Sequence, residues 1–138
     1  MSPILAALVA LTAAQTDADA SFHALADAYI AALGTCDEDA FKPLLSDDHR
    51  RFVIQSGEDQ KAPDLYQQCE PGYRLKVEDH KLTSLEQAGG FGSALLELRT
   101  KTTEPSGREI FHKLRISLMM EDRGDGPQIV RSHIAALR

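Results

Sequence analysis

From Tyr73 to the end of the chain, apolar and polar residues alternate with a period of two, and turn-forming residues interrupt the alternation at regular distances. A period of two places every second side chain on the same face of a β-strand. The interruptions are Gly89-Gly90, Pro105-Ser106-Gly107 and the stretch from Gly124 to Pro127. This pattern predicts four antiparallel strands that follow one another in a meander.

The turn residues of the middle hairpin determine which residues pair across its two strands. A three-residue loop, Pro105-Ser106-Gly107, suits a type I turn with glycine in the left-handed position, and it pairs Glu104 with Arg108. Counting back from that pair gives one continuous apolar face, formed by the pairs Leu98–Leu114, Leu96–Ile116 and Ala94–Leu118. On the other face Glu97 meets Arg115, so we expect that face to meet solvent or a partner.

The first of the four strands breaks its own alternation. Leu75 and Val77 have one parity and Leu82 has the other. A β-bulge adds one residue to a strand and so changes which face the following side chains occupy. We therefore predict a bulge between Asp79 and Leu82.

Before the strands, apolar residues from Phe22 to Leu33 recur at helical spacing on one face, and Gly34 is expected to end this helix. Thr35 to Glu38 has the pattern of a capping box that starts a second helix. Pro43 predicts that this helix, from Asp39 to Leu45, is kinked or split into two turns.

The order of these elements predicts the fold class. Arg51 to Gln55 is expected to form a short edge strand between the helices and the meander. Helices that precede a curved antiparallel sheet, one of them with a broad apolar face, predict an α+β fold in which the sheet packs around that helix.

Length and charge limit the function. The chain has 138 residues, enough for one domain with one hydrophobic core. Its 21 acidic and 15 basic residues give a formal net charge of −6, and acidic residues lie between the basic ones. Nucleic-acid binding and attachment to anionic membranes need clustered positive charge, so we expect neither.

The N-terminal run from Ile4 to Ala14 contains only apolar residues and one Thr, and is too short to span a bilayer. Its length matches the core of a signal peptide. We predict that residues 1–20 form a signal peptide and short leader, that residues 21–138 form one domain, and that the protein is periplasmic or secreted, without stable membrane insertion. Because no Lys or Arg precedes the run, an N-terminal helix packed on the domain is the alternative.

The chain has two cysteines, Cys36 and Cys69. In an oxidising compartment they are expected to form a disulfide, which contributes about 3 to 4 kcal/mol in the chain-entropy model. In a reducing compartment the alternative is two buried free thiols.

The order of elements resembles the nuclear-transport-factor-2-like (NTF2-like) superfamily, which includes the SnoaL-like proteins. The closest local likeness runs from Asp125 to His133, which is similar to a family pattern in which an Asp-Gly turn leads to a Trp, an Ile and a His. Pro127 stands at the aromatic position, and the chain has no Trp. The resemblance implies a cone-shaped α+β fold that encloses a pocket, commonly in a homodimer formed through the outer sheet face.

Two residues are candidate bases. In the predicted register His112 shares the apolar face with Leu114, opposite Thr100 near one end of the sheet. A histidine there could act as general base or acid near neutral pH, or it could be structural, bonded to Thr100 or to a carbonyl. Asp79, near the predicted bulge, is the second candidate, by comparison with pocket carboxylates that abstract protons.

Three further residues are candidates for ligand binding. Tyr29 lies in the buried stripe of the first helix, where its hydroxyl could bond to a ligand or to a neighbour in the core. Arg131 and His133 share one face of the last strand and together could hold a carboxylate or an enolate. Both faces of that strand carry apolar residues, so the pattern leaves open whether this pair faces the pocket or a dimer surface.

The sequence contains no H-E-x-x-H motif, Gly-rich phosphate loop or clustered His/Cys ligand set, so we expect no metal and no cofactor. Two functional hypotheses remain. The first is an exported pocket protein without catalysis that binds a small apolar or anionic molecule or a partner protein. The second is a cofactor-independent isomerase, dehydratase or cyclase that uses a pocket acid or base.

Overall fold

The computed structural model describes residues 20–35, 37–54 and 71–137. Its elements are helix α1 (residues 20–35), helix α2 (Glu38–Phe41), a 3-10 turn (Lys42–Leu44), and strands β1 (Leu45–Ile54), β2 (Arg74–Ala88), β3 (Phe91–Thr103), β4 (Glu109–Asp122) and β5 (Pro127–Leu137). Residues 1–19 of the expected leader and both cysteines, Cys36 and Cys69, lie outside the described residues. The signal peptide and the disulfide therefore stay predictions.

Helix α1 buries the whole apolar stripe that the sequence predicts, namely Phe22, Leu25, Ala26, Tyr29, Ile30 and Leu33. The helix extends beyond its expected end at Leu33, through Gly34 to Thr35. The Thr35 hydroxyl donates to the Ala32 carbonyl oxygen at 2.7 Å, a bond within the last turn of the helix. Gly34 thus lies inside α1 rather than after it.

Helix α2 is a single turn, and the predicted split is confirmed. Asp37, not Thr35, caps it, because the Asp37 side chain accepts from the Asp39 N–H at 3.0 Å. Pro43 lies in the first turn of the 3-10 segment that follows, where a missing N–H costs little.

The five strands form one sheet in the order β1-β5-β4-β3-β2. The pairs from β2 to β5 are antiparallel, as the predicted meander requires, whereas β1 pairs with β5 in parallel and makes the sheet mixed. The short edge strand expected at Arg51–Gln55 is longer and begins at Leu45. Its first half, Ser46 to Arg50, is wholly polar and so carries no alternation that could have announced a strand.

The predicted register of the β3–β4 hairpin is confirmed at every pair. The Glu104 N–H donates to the Arg108 carbonyl at 2.8 Å, and Gly107 has a φ of +90°, in the left-handed region. Arg115 Nη2 lies 3.0 Å from Glu97 Oε1 on the exposed face.

Bulges interrupt strands β2 and β5. In β2 the register shifts twice, between Val77 and Asp79 and between Leu82 and Ser84. The first shift lies one residue before the predicted position, and the second restores the original parity at Leu85, which pairs with Ala94. In β5 a shift at Val130 has a larger consequence, because it changes the face occupied by every residue that follows.

Helix α1 packs on one face of the sheet. A Cβ atom at Gly92 would lie 2.9 Å from the Phe22 ring, so only glycine at this position of β3 permits so close an approach. The buried residues of α1 and of β3, β4 and β5 form one hydrophobic core. We call the sheet face against α1 the inner face and the opposite one the outer face.

Candidate functional site

One row of inner-face residues near the β3–β4 turn carries polar side chains. The register places Val77, Thr100 and His112 side by side across β2, β3 and β4. The next row towards the middle of the sheet contains the buried residues Leu98 and Leu114, with the exposed His80 beside them on β2. Thr100 and His112 therefore form a polar pair next to two buried leucines.

Thr100 and His112 are not hydrogen-bonded to each other. Thr100 is 1% exposed, and neither its Oγ1 nor His112 Nδ1 has a hydrogen-bond partner within the described part of the chain. The described residues therefore do not show the structural alternative, in which Thr100 or a carbonyl forms a hydrogen bond with the imidazole. A buried polar atom without a partner costs about 1–3 kcal/mol, so two adjacent ones need an explanation.

The charge state of His112 follows from its surroundings. Burial lowers the pKa of its imidazole from the ordinary value of 6.5, because the charged form loses hydration. A neutral imidazole offers one donor and one acceptor nitrogen, and the Thr100 hydroxyl can also donate or accept. The pair can therefore bind a ligand group that accepts or donates hydrogen bonds, such as a hydroxyl or a carbonyl.

A second polar pair lies on the inner face at the β1 edge. His49 Nε2 is 3.1 Å from Ser132 Oγ, and Ser132 is 1% exposed beside the core residue Leu118. Burial is the main cause that lowers the His49 pKa, and the positive charge of Arg51 lowers it further. His49 and Ser132 therefore form a hydrogen bond with each other, whereas Thr100 and His112 do not.

The sequence analysis missed His49 and Ser132 for identifiable reasons. His49 lies in the polar stretch without alternation, and the bulge at Val130 concealed which face Ser132 occupies. The adjacent carboxylate, Asp48, bonds to Arg123 at 3.0 and 3.1 Å and to Ser46 at 2.8 Å. The described residues around His49 therefore form no Ser-His-Asp triad.

The other candidates are divided between the two faces. Tyr29 is buried in α1 on the same side of the sheet as His112, and its ring meets Phe41 edge-on at a centroid distance of 5.7 Å. Asp79 pairs with Arg99 on the outer face, because the first bulge of β2 turns it away from the core. The structure thus does not bring Asp79 to His112.

Arg131 and His133 also lie on the outer face, where they pair with Met119 and Ser117. The sequence left their face open, and the bulge at Val130 decides it. Of the five candidate residues, the structure brings Tyr29 and His112 to the helix side of the sheet and leaves the other three on the opposite side.

Comparison with solved structures shows what the chain is similar to. A ketosteroid isomerase-like protein from Erwinia carotovora superposes with a TM-score of 0.66 at 14% identity, over 87% of this chain and 96% of that one. An NTF2-like protein with a cystatin-like fold from Novosphingobium aromaticivorans gives 0.67 at 13% identity, over 94% and 88%. This chain has the NTF2-like fold. The fold class and the resemblance expected from the sequence are confirmed.

A third NTF2-like structure, of a protein of unknown function in nutrient uptake from Rhodospirillum rubrum, has a TM-score of 0.59 at 17% identity, over 83% of this chain and 96% of that one. No protein-family model matches the sequence, and no curated protein does either. At these identities the similarity establishes the NTF2-like fold alone, and function has to be argued from the residues of this chain.

The sheet of this chain departs from the NTF2-like family pattern at one position. Pro127, at the position where the family pattern has an aromatic residue, pairs with Asp122 at the start of β5. Within the described ranges no group of three His, Cys, Asp or Glu side chains could hold a metal ion. No helix in those ranges is long and apolar enough to cross a membrane.

Proposed function

We propose that this protein binds a small, mainly apolar molecule between α1 and the inner face of the sheet, with one polar group of the ligand bonded to Thr100 and His112. The observation that carries the proposal is that two buried atoms on directly paired residues, Thr100 Oγ1 and His112 Nδ1, have no partners among the described residues. Buried polar groups are normally satisfied, and exceptions occur at functional sites. A ligand hydroxyl or carbonyl would satisfy both.

The apolar character of the ligand is argued from the neighbours of this pair. Leu98 and Leu114 lie in the next row of the inner face, and Val77 flanks Thr100 on β2. Ligand sites commonly combine such apolar walls with a few polar groups that fix orientation. The inner-face positions of β2, β3 and β4 around His112 include no Lys or Arg, so an anionic group would lose its hydration there without gaining a counter-ion.

Binding is favoured over catalysis because the acid and base candidates do not converge. The enzyme hypothesis needs His112 or Asp79 as base, with Tyr29 or His133 as electrophilic support, and Asp79 and His133 lie on the outer face. One solved neighbour is named ketosteroid isomerase-like, and another is named as a protein of unknown function in nutrient uptake. The first name suits the enzyme hypothesis, but the positions of Asp79 and His133 in this chain favour binding.

A thermal-shift screen of uncharged compounds with an apolar body and a single hydroxyl or carbonyl tests the proposal. Compounds that bind the folded state raise its melting temperature. The stabilising compounds are then retested on Thr100→Val, which keeps the side-chain shape and removes the hydroxyl, and on Thr103→Val, the same change on the outer face of β3. We expect the shift to be lost in Thr100→Val and kept in Thr103→Val. A screen without stabilising compounds, or equal shifts in both variants, contradicts the proposal.

We also propose that the protein is exported to the periplasm or secreted, on the strength of the apolar run from Ile4 to Ala14. N-terminal sequencing of the protein from fractionated cells tests this, and an intact Met1 in the cytoplasmic fraction contradicts it. The disulfide between Cys36 and Cys69 and the homodimer stay predictions. Non-reducing mass spectrometry and analytical ultracentrifugation check them.

A further inference from the structure

We propose that the outer face carries a second, independent binding site, in which Arg50 and Arg131 hold the carboxylate of a small molecule with an aromatic or other apolar body. Arg50 on β1 and Arg131 on β5 are paired positions of the parallel ladder, and both side chains are exposed. Paired residues of adjacent strands point to the same face and lie about 5 Å apart. The two arginine side chains therefore extend side by side from the outer face.

This juxtaposition depends on two irregularities of the sheet. In β5 the bulge at Val130 moves Arg131 to the outer face, although Ile129, two residues earlier, lies in the core. In β1 the regular pairing with β5 is interrupted between Leu45, which pairs with Ile129, and Arg50, which pairs with Arg131. Without these shifts, simple alternation would have directed Arg131 to the same face as Ile129. Bulges often re-aim side chains at functional sites.

Among the described residues, no acidic side chain compensates the positive charge of this pair. Like charges on neighbouring strands repel each other, and the described residues offer neither arginine an ion pair. The two acidic residues that line the same groove, Asp48 and Glu121, are both paired with Arg123, at 3.0 and 3.3 Å. In a chain with a net charge of −6, two adjacent arginines that have no ion pair among the described residues are a local excess of positive charge that an anion would neutralise.

The surroundings indicate the chemistry of that anion. Both arginines line a groove of about 500 Å³ whose other walls include Phe91, Met119 and Val130. Phe91 is 62% exposed and Met119 is 47% exposed, so each presents apolar surface to the groove. The guanidinium group offers parallel N–H donors that match a carboxylate, and the aromatic and thioether side chains suit a flat apolar body. The volume lies in the range of small-molecule sites, about 300–1,000 Å³.

Indole-3-acetate is a suitable probe, with indole-3-acetamide as its uncharged counterpart. The chain has no Trp, so the indole fluorescence belongs to the probe alone. We expect saturable binding of the acetate by the full chain and binding of the acetamide weaker by about tenfold or more, because a charge-assisted hydrogen bond contributes at least that factor. Arg50→Gln and Arg131→Gln should each weaken acetate binding by a similar factor.

Arg99→Gln is the matched control, since Arg99 is exposed on the outer face of β3 and does not line the groove. It should change acetate binding by less than about twofold, the residual effect of one distant screened charge. The melting temperatures of Arg50→Gln and Arg131→Gln should equal or exceed that of the wild type, because each removes a like-charge contact.

Four outcomes would overturn this site. Acetate and acetamide could bind equally well or not at all, Arg99→Gln could lose as much affinity as the groove variants, or the groove variants could melt earlier, which would give the arginines a structural role. A homodimer that Arg50→Gln and Arg131→Gln convert to monomers would also overturn it, since a second copy would then cover the face. None of these results bears on the inner-face proposal, which is tested with uncharged compounds and with Thr100.

Discussion

Thr100 and His112 face each other across β3 and β4, and each keeps a buried polar atom without a partner in the described part of the chain. Cross-strand neighbours are close enough to interact when their rotamers permit it. That these two do not, although Val77, Leu98 and Leu114 beside them are aliphatic, is the basis of the proposed ligand site.

The first prediction concerns the stability of Thr100→Val. Valine keeps the shape and β-branching of threonine and removes a hydroxyl that has no partner, so the free energy of unfolding should stay unchanged or rise by up to about 1 kcal/mol. Urea unfolding of the wild type and the variant measures this. A loss of about 1 kcal/mol or more would indicate that the hydroxyl makes a hydrogen bond within the protein, which contradicts the site.

A second prediction tests the packing of α1 on the sheet. Gly92→Ala places a methyl group 2.9 Å from the Phe22 ring, and such overpacking should lower the free energy of unfolding by about 1–3 kcal/mol. Gly34→Ala is the control, because no atom lies within 4 Å of its Cβ position and alanine favours helix, so stability should rise by up to about 1 kcal/mol. Thermal unfolding of both variants measures these two changes in stability. Equal effects would mean that α1 does not approach β3 as described.

The third prediction is a pH dependence. Burial lowers the pKa of His49 and of His112 below 6.5, so the unfolded chain binds these protons more readily than the folded one. Stability should therefore be fully present above about pH 7 and decrease as the pH falls below 6.5. Urea titrations at several pH values measure the slope.

The corresponding variants separate the histidines. His49→Gln and His112→Gln should each reduce the pH dependence below neutrality, because each removes one histidine whose pKa is lowered by burial. A slope that stays as steep as that of the wild type in both variants would assign the pH dependence to other groups.

A fourth prediction concerns the ion pair between β1 and the β4–β5 turn. Hydrogen bonds from Arg123, and then from Ser46, lower the pKa of Asp48 from 3.8 to about 2. In Arg123→Gln, carboxyl-carbon NMR should show the Asp48 pKa returning towards 3.8, and Arg123→Lys should show a partial return because it keeps the charge and loses the fork. An ordinary pKa for Asp48 in the wild type would mean that the pair does not form.

The sequence was most informative where turn chemistry fixed the register. The loop at Pro105-Ser106-Gly107 set every pair of the β3–β4 hairpin and so placed His112 opposite Thr100 on the buried face. Helical spacing likewise identified the buried stripe of α1. Both features are local, since the residues that determine them lie within a few positions of one another.

The sequence did not predict the features that depend on residues far apart in the chain. The bulge at Val130 has no local signature, yet it decides that Ser132 faces the core and Arg131 faces out. Strand β1 acquires its first half through pairing with β5, and the polar stretch from Ser46 to Arg50 gives no sign of it. These misjudged positions hold both Arg50 and His49, so the second site and the second polar pair were absent from the sequence analysis.

Long-range proton–nitrogen NMR of the His112 ring, recorded without and with a compound from the thermal-shift screen, tests the central claim most directly. We predict that, in the free protein, Nδ1 makes no hydrogen bond to another protein group, and that the compound shifts this nitrogen strongly in the wild type and in Thr103→Val but not in Thr100→Val. A hydrogen bond between His112 and Thr100 in the free protein, unchanged by any compound, would contradict the account.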